Sequence, residues 1–106
     1  MLLIVETPLF TKQIVALAAD EDYRALQEAL VANPAAGDVI PGGGGIRKVR
    51  MARPGRGKRG GARVIYYWRQ EKGTIFMLVA YAKSVKTNLS AAEIRTLREL
   101  VKALAR

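Results

Sequence analysis

The sequence predicts an α+β fold: two N-terminal helices, a three- to four-stranded, mainly antiparallel sheet, and a C-terminal helix. Three observations carry that reading. Apolar residues recur at helical spacing over residues 9–30 and again over 94–104. Between those stretches, runs of β-branched and aromatic residues alternate with glycine-rich turn signals, and a capping box opens the last helical stretch.

Leu2-Leu3-Ile4-Val5 is a short apolar run suited to an opening strand. Thr7 and Pro8 then fit the N-cap and N1 positions of a helix whose apolar residues Phe10, Ile14 and Leu17 carry it to about Ala18. Asp20 suits the cap of a second helix with a Tyr23, Leu26, Leu30 stripe, ending before Asn33-Pro34. The acidic residues Glu21, Asp22 and Glu28 fall on its polar face and read as solvated. Residues 34–45 read as a loop, in which four consecutive glycines impose no conformation of their own. Strands follow over Ile46–Met51, Ala62–Arg69 and Thr74–Ala82, in the order of an antiparallel meander. Ser90 and Glu93 make the capping box, Leu89 and Ile94 a hydrophobic staple, and Ile94, Leu97, Val101 and Leu104 the buried stripe of the last helix. The helices are expected on one sheet face, leaving the other open.

At 106 residues the chain has the size of one domain, residues 1–106, able to bury about two thirds of its unfolded surface. Its 50% hydrophobic and 25% charged content fits a globular protein. Cysteine and histidine are both absent, which removes disulfides, Cys/His zinc sites, thiol nucleophiles and imidazole catalysis. No cofactor or metal is expected. The N-terminus has neither the basic flank nor the apolar length of a signal peptide or membrane span, so a cytoplasmic protein is expected. The basic residues sit in strand-like and glycine-rich sequence, not along an amphipathic helix, so no membrane surface is expected as partner.

Charge is the strongest functional signal. Residues 41–69 hold nine Lys and Arg and no acid, against net charges of −4 over residues 1–40 and +4 over 71–106. The central stretch alone therefore matches the net charge of +9. Such a concentration among β-branched and aromatic residues predicts a folded basic surface that meets a polyanion, RNA first of all. Strand alternation puts Lys48 and Arg50 on one face, with Arg47, Val49 and Met51 on the other. Arg63 shares a face with Ile65, Tyr67 and Arg69; Ile75, Met77, Val79, Tyr81 and Lys83 line up on the third strand. If Lys48, Arg50, Arg63 and Lys83 converge, they form a pocket for one phosphate, with Tyr67 or Tyr81 as a platform for a stacked base. Tyr66 and Trp68 share the parity of Val64 and read as core.

Gly55-Arg56-Gly57-Lys58-Arg59-Gly60 spells the dinucleotide fingerprint GxGxxG, but a strand follows it where the motif requires a helix. It is read instead as a flexible tether whose Arg56, Lys58 and Arg59 follow a phosphate backbone.

The stretch GGIRKVRMARPGRGKRGGARVIYYW, followed by an apolar strand ending in AYAKS and by NLSAAEIRTLRELVK, resembles the RelE/HigB-type toxins of bacterial toxin–antitoxin pairs, in its spacing the HigB-like branch. The resemblance covers residues 42–106 well and the helical hairpin in outline. It implies a small α+β protein that enters the ribosomal A site, cuts messenger RNA there and is silenced by a cognate antitoxin. That antitoxin is expected to carry a helix-turn-helix domain and to bring operator DNA into contact only through the complex. Carried over by position, Lys48 and Arg50 match the paired basic residues of the family's central strand. Arg63 matches the arginine after the loop, and Lys83 the basic residue after the last strand; Arg47, Arg56, Lys58, Arg59, Tyr67 and Tyr81 complete the RNA-contacting set. The C-terminal tyrosine of some relatives has no counterpart, since no tyrosine follows Tyr81.

In such an enzyme Lys48 acts as the base for the 2′-OH, its pKa lowered by Arg47, Arg50 and Arg63. Arg50 and Arg63 grip the non-bridging oxygens, and Lys83 holds a neighbouring phosphate. Two other classes fit the same charge: a non-catalytic RNA- or DNA-binding module, and an interaction module for an acidic protein.

Overall fold

A computed structural model of the chain describes residues 2–53 and 57–106, the side chains of 57–60 excepted. It contains strand β1 (Leu3–Glu6), helices α1 (Pro8–Leu17) and α2 (Asp20–Ala32), and strands β2 (Asp38–Val39), β3 (Ile46–Arg53), β4 (Gly57–Arg69) and β5 (Thr74–Ala82). Helix α3 (Ala91–Leu104) closes the chain. The strands form one sheet in the order β1-β5-β4-β3-β2. The central meander is antiparallel as predicted, but the sheet has five strands and is mixed: β1 lies parallel to β5, and the two-residue β2 pairs β3 inside the stretch read as loop.

Local chemistry explains most boundaries. The Thr7 hydroxyl oxygen accepts from the Phe10 N–H at 3.1 Å, and its O–H donates to the Leu78 carbonyl at 2.8 Å, so one side chain caps α1 and ties it to β5. Helix α2 begins at Asp20 with no side-chain cap; Asp20, Glu21 and Asp22 face the helix dipole there instead. Gly42, Gly44 and Gly45 all have positive φ, at 77°, 77° and 113°. The run thus permits left-handed backbone that other residues adopt only with strain, in the turn across which Ile40 N–H reaches the Ile46 carbonyl. The capping box at α3 is formed in both directions, with Ser90 and Glu93 bonding each other's backbone N–H. Ser90→Ala should lower stability by about 1 kcal/mol in a denaturant titration. The Lys86 ammonium, then the Ser90 N–H, hold the Glu93 carboxyl below its usual range. A depressed carboxyl stabilises the fold at neutral pH, and its contribution is lost as pH falls through the folded-state value.

Two cores flank the sheet. Phe10, Ile14, Leu26 and Leu30 from α1 and α2 pack on Val64, Tyr66, Ile75 and Met77. On the other face Leu97 and Val101 of α3 pack on Ile46, Ile65 and Leu78. The face expected to be open is thus partly covered by α3, because that helix's apolar stripe needs a sheet surface too. One register fault sits in β5. Ile65 pairs Val79 while Tyr66 pairs Met77, so Leu78 is the extra residue of a bulge. Ile75 and Met77 consequently belong to the α1–α2 side, and Val79 and Tyr81 to the α3 side, where unbroken alternation had put all four together.

Tyr66, fully buried, anchors the loop before β2: its O–H donates to the Pro34 carbonyl at 2.7 Å and its oxygen accepts from the Gly37 N–H at 2.9 Å. A Cβ at Gly37 would stand 2.9 Å from the Tyr66 ring and from the Lys48 carbonyl oxygen, so only glycine fits. Tyr66→Phe strands a buried donor and acceptor and should cost about 1–3 kcal/mol by urea unfolding.

Candidate nucleic-acid interface

The α3 side of the sheet carries the cations singled out from sequence. On β3, Lys48 and Arg50 project to that side; Arg50 sits directly opposite Arg63 on β4, and Arg63 directly opposite Tyr81 on β5. Lys83 follows β5 and its backbone N–H donates to Gly61 O at 3.0 Å, which fixes the chain where it leaves the sheet. The result is a cleft of about 580 Å³ lined by Lys48, Arg50, Arg63 and Lys83 together with Ala36, Asp38, Val49 and Thr87. All four basic residues singled out from sequence therefore border one cavity.

In the cleft four cations face the one carboxylate of Asp38. Arg63 is only 5% exposed. Burial, and after it the charge of Arg50, push its guanidinium below the usual pKa. Two like charges directly opposite across a ladder oppose folding. Among the described residues Lys86 pairs with Glu93 and Lys102 with Glu99, away from the cleft lining, and the Arg63 guanidinium donates to the Ala62 carbonyl at 3.2 Å. The Lys48 ammonium instead donates to the Asn88 side-chain oxygen at 2.7 Å. Such an arrangement is eased when an anion settles between the arginines, and guanidinium forks match phosphate oxygens in geometry.

Other sequence candidates lie elsewhere. Arg47 projects to the α1–α2 side, where it donates to the Ala35 and Gly37 carbonyls at 3.1 and 2.8 Å; it secures the loop before β2 and takes no part in the crowding around Lys48. Tyr67 shares the cleft's face but lies four residues along β4 from Arg63, roughly 13 Å away by strand rise. Its ring stacks on Phe76 at 6.5 Å beneath α3. Tyr81 is 7% exposed, with the Lys86 ammonium 5.0 Å from its ring centre, so no base can stack on it. Burial pushes the Tyr81 phenol up, with the Arg63 charge opposing. Arg56 lies outside the described residues. Lys58 and Arg59 fall within the backbone of β4, not on a flexible tether, and their side chains lie outside the description.

Sequence reading passed over Asp38, Thr87 and Asn88. Asp38 and Thr87 line the cleft, and Asn88 holds Lys48. No motif marks them; Asp38 enters only because β2 pairs it with Lys48.

The profile of the family described as RelE toxin of RelE / RelB toxin-antitoxin system matches residues 12–106, nearly the whole chain. The chain belongs to the RelE toxin family. It is thus related to toxins that are generally translation-inhibiting endoribonucleases, and membership implies a RelB-type antitoxin as its partner. The three helices and five-stranded mixed sheet are consistent with the RelE fold. Among the described residues no helix is long and apolar enough to cross a membrane.

Proposed function

We propose that this RelE-family chain is a ribosome-dependent, metal-independent messenger-RNA endonuclease of the HigB-like branch, acting in the cytoplasm and silenced by an antitoxin that carries a helix-turn-helix domain. One observation carries the reading: Arg50 and Arg63 stand opposite each other on neighbouring strands and, with Lys48 and Lys83, line one cleft of about 580 Å³. In this reading Lys48 acts as its neutral amine and accepts the proton of the 2′-OH, whose oxygen attacks phosphorus as the bond to the 5′-oxygen breaks; a 2′,3′-cyclic phosphate forms and the leaving 5′-oxygen takes its proton from water. Arg50 and Arg63 hold the non-bridging oxygens, where charge grows in the transition state. Lys83 binds the next phosphate. A site without imidazole or carboxylate pair gains most from a body that presents the RNA already bent for in-line attack, the part assigned to the ribosomal A site.

The test is induction of the chain without its antitoxin, followed by primer extension on abundant messages and by incubation of purified protein with RNA, with and without ribosomes. Internal cuts that end in a 5′-hydroxyl and need ribosomes are expected. Intact messages under full translational arrest would mark a non-catalytic RNA binder instead.

A further inference from the structure

We propose that a second slot beside the phosphate cleft holds the RNA base next to the cut and selects for a base with an exocyclic amino group; the inference rests on the nuclease reading above. The slot measures about 430 Å³ and is bounded by Val39 of β2, Ile40 and Pro41 just after it, Leu89 just before α3 and Ile94 in its first turn. Its polar edge is Asp38, Lys48 and Asn88. Lys48 and Asp38 also line the phosphate cleft, so the two cavities adjoin and a nucleotide with its phosphate on Arg50 and Arg63 has its base at the slot's mouth.

Chemistry assigns the occupant. An apolar lining drawn from two separate segments suits a base lifted out of its stack, and the volume falls within the range of small-molecule sites, about 300–1,000 Å³. Asp38 stands directly across from Lys48 and repels phosphate, so the backbone is directed to the arginines and the base edge to Asp38. A carboxylate only accepts hydrogen bonds. Adenine, cytosine and guanine offer it an amino group; uracil offers one N–H flanked by two carbonyl oxygens that the carboxylate repels. Asn88 adds the complement. Its side-chain oxygen is taken by the Lys48 ammonium, which leaves its NH₂ as the end that donates to a base acceptor.

The experiment is genome-wide mapping of the 5′-hydroxyl ends made by the parent, Asp38→Asn, Asn88→Ala and Lys48→Ala, each induced without antitoxin. Preference is scored as the ratio of cuts beside amino-bearing bases to cuts beside uracil, so a fall in total cutting does not enter. Against uracil the parent should discriminate on the order of tenfold. Asp38→Asn, whose amide also donates, should bring the ratio close to one, and Asn88→Ala should lower it. Retention of the parental ratio in both variants overturns the slot while leaving the nuclease standing. So does a parent with no base preference, or variants that keep the ratio but lose affinity for the antitoxin, which would make the slot a protein contact. Failure of the parent to cut overturns the nuclease reading and the slot with it, whereas undiminished cutting by Lys48→Ala takes the catalytic centre away from this cleft and overturns the slot beside it.

Discussion

Lys48→Ala and Arg63→Ala should each leave a folded protein that no longer arrests growth, with message cleavage reduced by about 10²–10⁴-fold. The two losses have different causes. Removing a positioned base forfeits about 10²–10⁴ in rate, and removing one preorganised donor to a developing oxyanion about 10²–10³. Arg50→Ala should resemble Arg63→Ala, and the double variant should lose less than the product of the single losses, because the two guanidiniums hold one phosphoryl group between them. Lys83→Ala, acting on a neighbouring phosphate, should mainly weaken binding. Stability moves the other way. Arg63 and Arg50 oppose each other across the ladder, so Arg50→Ala should hold or raise the urea midpoint even as activity disappears. Single-turnover cleavage on programmed ribosomes, run beside urea titrations, separates the two effects. Undiminished cleavage by both Lys48→Ala and Arg63→Ala would end the case for this cleft as the catalytic centre.

What the sequence could and could not announce follows from the range of the interactions. The N-cap at Thr7, the Ser90–Glu93 box, the extent of β5 and the shared face of Lys48 and Arg50 depend on residues a few positions apart, and each is readable from pattern. The meeting of Arg50 with Arg63 needed a register that pattern leaves open. The bulge at Leu78 was invisible because its signature is a broken pairing, not a residue type; it moved Val79 and Tyr81 to the α3 side of β5. Likewise the nine cations of the basic stretch look alike in one dimension. Arg47 and Arg53 are spent on backbone carbonyls of the helical side, Arg53 donating to Leu17 O at 3.2 Å, and Arg69 binds the carbonyl of Arg106. Net charge thus marked the stretch that supplies the cleft but overstated how many of its cations line it. Asp38 in β2 and Asn88 before α3 lie about fifty residues apart in sequence, and only the folded sheet makes them neighbours of Lys48.

The largest loss of stability from one substitution should come at Phe10, remote from the cleft. Phe10 is fully buried between α1 and the sheet, its ring 5.7 Å from that of Tyr23 and inclined by 51°. Phe10→Ala removes most of a core aromatic and leaves a cavity that the sheet cannot close, at a cost of about 3–5 kcal/mol. That is a large share of the roughly 5–15 kcal/mol that holds an ordinary domain, and this chain also bears the self-repulsion of a net charge of +9. The variant should therefore unfold at a much lower urea midpoint with its slope unchanged. On the same helix Val15, 78% exposed, is the control: Val15→Ala should stay within about 0.5 kcal/mol of the parent. The consequence reaches the site through α1. The Gln13 side-chain oxygen accepts from the Ala80 N–H at 2.8 Å, and Thr7 holds the Leu78 carbonyl, along the β5 edge that β1 leaves unpaired. When α1 detaches, that edge loses both ties, and Tyr81, the partner of Arg63, goes with it. An antitoxin that binds only the folded toxin should restore the variant by mass action, so co-expression should recover soluble protein that the free chain does not yield. A Phe10→Ala midpoint equal to the parent's would mean that α1 is not packed on the sheet as described.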